Sequence, residues 1–137
     1  MTSTMERFDL RLARASLQYA IDYGWTTEVS GTRLVFSQAS HVIGLAVPCD
    51  EAITLAEHLA GHRVSYPAVR LPHRPESIVF LAVPRGLAAA PWPLVEVMLP
   101  PSQAPEGPVV WAVPPRRSPQ PIPSLVSLLA AVRTAGR

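Results

Sequence analysis

The sequence predicts an α+β fold: a mostly antiparallel sheet of about six to seven strands with N-terminal, middle and C-terminal helices packed on one face of it. Apolar residues recur with helical spacing near the amino terminus, around residue 55 and at the carboxyl end. Between those segments lie short Val-, Ile- and Leu-rich runs bounded by prolines and glycines, the pattern of half-buried strands. The resulting order, α-β-β-β-α-β-β-β-β-α, contains no repeat and no βαβ alternation, which excludes a doubly wound parallel sheet. The 137 residues suit one domain with its own core, expected as residues 1–113, a proline-rich linker at 114–123 and a last helix at 124–137 packing on that core.

The first helix is predicted from Met5 or Asp9 to Tyr23 and ends at Gly24, which tolerates the left-handed conformation of a helix terminus. At 100° per residue, Phe8, Leu12, Ala15, Tyr19 and Tyr23 share one face. Leu10, Leu17 and Ile21 fall nearly opposite, and Arg7, Arg11, Arg14 and Gln18 fill the polar arc between. A helix apolar on two sides needs cover twice, so a sheet is expected on one side and a helix or a partner chain on the other.

Residues 25–29 and 32–37 read as a hairpin turning at Ser30-Gly31. Residues 41–47 are an almost unbroken apolar run, as in an interior strand. A second helix opens at Pro48-Cys49-Asp50-Glu51, with Asp50 as cap, and stops at Gly61. Residues 64–71 form a strand in which Pro67, having no N–H, points to an edge or a bulge. A turn at Pro72-His73-Arg74-Pro75, a strand at 77–83 and a loop at 84–93 follow. Residues 94–111 are then expected as a second hairpin: an apolar strand, a loop stiffened by Pro100, Pro101, Pro105 and Pro108 with its turn at Glu106-Gly107, and a strand carrying Trp111. Ser124 caps the last helix, whose inner side is Leu125, Leu128, Leu129 and Val132.

All twelve basic residues are arginine, and the net charge is only +2, so composition gives no general case for nucleic-acid binding. Any such case rests on the Arg7, Arg11, Arg14 stripe, which could contact phosphates or be a solvated face offset by Asp9 and Asp22. Cys49 is the only cysteine, which excludes an intrachain disulfide and fits a reducing compartment; cytoplasm is the expected location. No apolar stretch nears the ~20 residues of a membrane span, so a soluble chain without a membrane partner is expected.

Catalytic signals are thin. Two-metal phosphoryl transfer needs converging carboxylates, often Asp-x-Asp on one strand, and no Asp-x-Asp or Asp-x-Glu occurs. Glu28, Asp50 and Glu96 are isolated acids near strands, and Glu96 between Val95 and Val97 alternates to a polar face. His58 and His62 have metal-ligand spacing but straddle Gly61 and have no third ligand nearby, and no metal site is predicted. His41 reads as a strand-end residue, and Ser102 lacks the surroundings of a nucleophile elbow. No glycine-rich phosphate loop is present, and no cofactor is expected.

The run Leu99-Pro100-Pro101-Ser102, then Pro105, Gly107-Pro108-Val109-Val110-Trp111, resembles the amino-terminal primase/polymerase domain of bacterial bifunctional DNA primase/polymerases, especially short actinobacterial members. The amino end is similar too, with Ala15, Tyr19-Ala20 and Gly24-Trp25 matching an opening helix that runs into a Gly-Trp strand. Residues 8–136 can be laid along the pattern in order. Active members of that family place Asp-x-Asp or its equivalent on an early strand, a histidine after it and a further acid before the Pro-Pro-Ser loop. Here the early strand ends Leu45-Ala46-Val47-Pro48-Cys49-Asp50 with one acid, and Glu96 is the candidate for the late one. The resemblance implies the fold and a degenerate active site.

The leading expectation is a catalytically degenerate primase/polymerase-like domain acting as a binding or regulatory module for nucleic acid or protein. It is expected to be homodimeric through Leu10, Leu17 and Ile21 or the last helix. One alternative is a minimal metal-dependent nucleotidyltransferase or nucleotide-binding protein using Asp50, Glu96 and His41 with a divalent cation. Another is a purely structural protein-interaction subunit.

Overall fold

The computed structural model describes residues 4–61, 65–84, 90–117 and 121–135, with side chains from residue 10 onward. Arg7, Phe8, Asp9 and His62 therefore lie outside the described side chains. Among the described residues the fold is α+β, with three α-helices and antiparallel strands gathered in more than one sheet. Helix α1 (Thr4–Tyr23) ends where predicted: Gly24 adopts φ +71° and its N–H, with that of Trp25, caps carbonyls of the last turn.

Strands β1 (Thr27–Ser30) and β2 (Arg33–Phe36) form the first hairpin, with Ser30 opposite Arg33. Its two-residue loop is Gly31-Thr32, one residue later than the sequence suggested. Gly31 takes the positive φ at the first central position, the place that a type II′ turn reserves for glycine. A 3₁₀ turn (Gln38–Ser40) leads into β3 (Ile43–Pro48), which pairs along its full length with β5 (Ser77–Ala82). Strand β4 (Ala68–Arg70) lies beyond β5 and β10 (Val110–Val113) beyond β4, while β6 (Leu94–Val95) flanks β3 on the other side. The order is β10-β4-β5-β3-β6, so β4 is interior. Pro67 precedes its first residue and only accepts, from Leu81 N–H at 3.0 Å, and the irregularity falls on the partner strand between Trp111 and Val113.

The second predicted hairpin does not form as such. The chain leaves the large sheet after β6, and β7 (Met98–Leu99) pairs instead with β2 in a three-stranded sheet β1-β2-β7. Beyond the cis Pro100–Pro101 bond, β8 (Gln103–Ala104) and β9 (Gly107–Pro108) make a small hairpin whose loop is Pro105-Glu106. Then β10 returns to β4. Ser102 holds this excursion together: fully buried, it accepts from Leu34 N–H at 2.7 Å and its hydroxyl reaches the Leu99 carbonyl. Tyr19 of α1 donates to the Pro100 carbonyl at 2.7 Å.

Alternation along the central strands creates two cores. Leu45, Val47, Ala68, Phe80 and Ala82 face α2 (Cys49–Leu59) and α3 (Leu125–Ala135). Ala46, Val69, Val79 and Leu81 face α1 and the small sheet, joined by Leu12, Trp25 and Leu34. The helices thus lie on both faces of the large sheet and not on one as expected: α2 and α3 cover one face, and α1 covers the other together with the small sheet. At the start of α2 the cap position is Pro48, without a side-chain cap bond; Asp50 and Glu51 lie in the first turn, where they favour the positive end of the dipole. Ser124 does cap α3, accepting from Ser127 N–H at 3.1 Å, and backbone bonds of Val83 to Pro123 and Leu125 dock that helix. Residues leading into α3 run past α1, where Tyr23 donates to the Pro115 carbonyl and Arg117 pairs with Asp22. Among the described residues no helix is long and apolar enough to cross a membrane.

Candidate functional site

Two places collect the side chains that sequence reasoning singled out. The first is the outer face of α1. Its inner face buries Leu12 completely and half-buries Ala15, Tyr19 and Tyr23 against Trp25 and the small sheet. On the outer face Leu10, Leu17 and Ile21 are 57%, 63% and 69% exposed. Arg11 and Arg14 are exposed beside them, and neither forms an ion pair with a described side chain. The expected offset by Asp22 is not found. Asp22 accepts from Gln18 at 2.7 Å and from Arg117 at 2.8 Å, and these two bonds, Gln18 first, hold its carboxyl below the ordinary value of 3.8.

The second place is a cleft of about 450 Å³ where the chain crosses from the large sheet to the small one. Glu28 of β1, His41 after the 3₁₀ turn and Glu96 between β6 and β7 line it, over apolar walls of Val35, Phe36 and Val97. His41 is exposed and takes a left-handed φ of 53° as the C-cap of the 3₁₀ turn, so it lies before the strand rather than in it. Two carboxylates and an imidazole at one mouth favour a cation or a donor-rich polar group.

His41 and Glu96 thus share a cleft, and Asp50 does not join them. Asp50 lies on the other side of the sheet, at the start of α2, beside Glu51 and Trp92. Glu28, which sequence spacing leaves isolated, takes the third position, brought there by the pairing of β1 with β2 and β2 with β7. Among the described residues no three His, Cys, Asp or Glu side chains come close enough together to hold a metal ion. Cys49 Sγ lies 3.6 Å from the Pro75 carbonyl, and Ser102 is sealed in the core. Compared with family models, curated proteins and solved structures, the chain matches none.

Proposed function

We propose that the chain is a binding module, catalytically degenerate with respect to the primase/polymerase-like pattern its sequence resembles, and that it works through the outer face of α1 by engaging protein. The observation that supports this reading most is the exposure of Leu10, Leu17 and Ile21 in one stripe on a helix whose opposite side is fully engaged. Contiguous large aliphatic side chains at the surface mark contacts with other macromolecules. Their interleaving with Arg11 and Arg14 favours a protein surface over a phosphate backbone, which would be met by basic and polar groups alone.

Replacing Leu17 by Glu leaves the inner face intact, so the variant should fold as the parent does and lose partner binding or self-association, read by light scattering and affinity capture. Replacing Arg11 and Arg14 by Gln separates protein from nucleic acid. Weak, sequence-insensitive binding to DNA or RNA that is steeply salt-dependent and vanishes in the Gln variant would make nucleic acid the partner instead. A Leu17→Glu variant indistinguishable from the parent in every binding assay would overturn the reading.

A second reading is supported by the Glu28, His41 and Glu96 cleft: binding of a small organic ligand with a cationic or donor-rich group. Titration with a small polyamine such as spermidine, followed by calorimetry on the parent and on Glu96→Gln, tests it. A signal abolished by Glu96→Gln supports it, and no heat in the parent removes it.

A further inference from the structure

We infer that the chain self-associates head to tail, the outer face of α1 on one copy seating in the groove between α2 and α3 on the next. This rests on the reading of α1 as a docking face and names its partner as a second copy. The groove has a volume of about 350 Å³, with Leu55, Trp92, Val132 and Ala135 as its apolar lining and Asp50 and Glu51 at its rim. A second hollow of about 360 Å³ adjoins it, lined by Ala90, Pro91, Leu129, Val132 and Arg133, so the acidic end of the groove is the Asp50 and Glu51 rim.

Charge decides which surface α1 meets. From residue 10 to residue 21 the helix carries Arg11 and Arg14 and no acid. Packing α1 on itself about a two-fold axis would bring Arg11 and Arg14 of both copies into one interface, while the adjoining Asp22 is already held by Gln18 and Arg117. The groove offers the opposite arrangement, two exposed carboxylates beside an apolar hollow, to a helix with two exposed arginines beside an apolar stripe. Arginine can meet each carboxylate with two parallel hydrogen bonds, while a Leu or Ile side chain fills the hollow.

The two surfaces lie on opposite faces of the large sheet. Each contact therefore leaves the other surface of both copies free, and association continues as an open chain rather than closing as a dimer. A single helix of about 30 Å seated in a groove covers less than a standard interface, so the contact is weak and the assembly depends on concentration.

Sedimentation of the full chain and of two variants tests this. Arg11→Glu with Arg14→Glu reverses the helix face; Asp50→Arg with Glu51→Arg reverses the groove, and circular dichroism establishes that each is folded. The parent should rise in mass with concentration without stopping at two copies, and each variant alone should remain monomeric. An equimolar mixture of the two restores both contacts, intact helix to intact groove and reversed helix to reversed groove, and should again rise in mass with concentration; a mixture that stays monomeric overturns the charge pairing. Because arginines disfavour the first turn of α2, Asp50→Asn with Glu51→Gln serves as the groove variant if the reversal does not fold; it should lower self-association at least several-fold.

If the groove variants associate like the parent while the helix variant does not, the head-to-tail contact is wrong and α1 docks elsewhere. If the helix variant associates like the parent, the reading of α1 falls with it. A parent that stays monomeric at several hundred micromolar overturns self-association and leaves α1 for a foreign partner. In that case, DNA binding lost only in the helix variant would assign nucleic acid as that partner.

Discussion

Tyr19 and Ser102 show how much single residues settle in this fold. The Tyr19 ring lies among Tyr23, Trp25 and Trp111, with centroids 6.4, 5.4 and 6.1 Å away, and its hydroxyl reaches across to Pro100. Burial pushes that hydroxyl up from 10.0 to about 12, against a smaller lowering by the Trp111 bond. A group whose proton is held more tightly when folded adds stability that is complete below pH 10.0 and is lost as pH rises through about 12. Tyr19→Phe should cost about 1 kcal/mol at neutral pH, for the bond to Pro100. It should also flatten the fall in stability between pH 10 and 12, read from urea midpoints across that range. The sequence places Tyr19 on the inner face of α1 but gives no sign of Pro100, because a side chain meeting a carbonyl 81 residues away leaves no local periodicity. Ser102 is similar: dismissed as a nucleophile from its surroundings, it turns out to tie β2 to the loop after β7, a role visible only once those segments meet.

Among the elements, those with their own period and punctuation are legible: three helices, the Gly24 and Ser124 termini, and the strands at the core of the large sheet. What the sequence conceals is pairing. Residues 94–99 read as one strand, apolar except at Glu96, yet Val95 pairs with Gly44 in one sheet and Met98 with Val35 in the other. Nothing between them signals the switch. Gly44, opposite Val95, is packed tightly beneath it. A Cβ there would stand 2.3 Å from Val79 Cγ1 and 2.8 Å from Val97 Cγ2, both on stiff β-branched side chains. Gly44→Ala should therefore cost about 1–3 kcal/mol by overpacking, whereas Gly61→Ala, with nothing near, should stay within about 0.5 kcal/mol. Chemical denaturation of the two variants decides it; equal midpoints would show that the sheet switch yields more easily than the geometry implies. The same hidden pairing explains the candidate cleft, where Glu28 joins His41 and Glu96 through two sheets that spacing does not connect.

At the scale of the molecule, the fold class is legible because element order excludes the alternatives, but the distribution of helices over two faces is not. Amphipathic stripes tell that a helix is covered, not which side of a sheet covers it. The outer stripe of α1 was legible from the same arithmetic, and it remains open to solvent in the single chain. The double cover of the large sheet has a further consequence for how the molecule breathes. Strands β3 and β5 are screened from water on both faces and flanked on both edges, by β6 and β4. Their amides have no route to solvent through fraying or local opening, unlike those of β1, whose residues are largely exposed at the rim of the small sheet. In hydrogen–deuterium exchange the amides of Ala46, Val47, Val79 and Phe80 should therefore exchange last and together, at the rate set by global unfolding. Exchange of β3 ahead of β5 would instead show that the central sheet opens strand by strand and not as one unit.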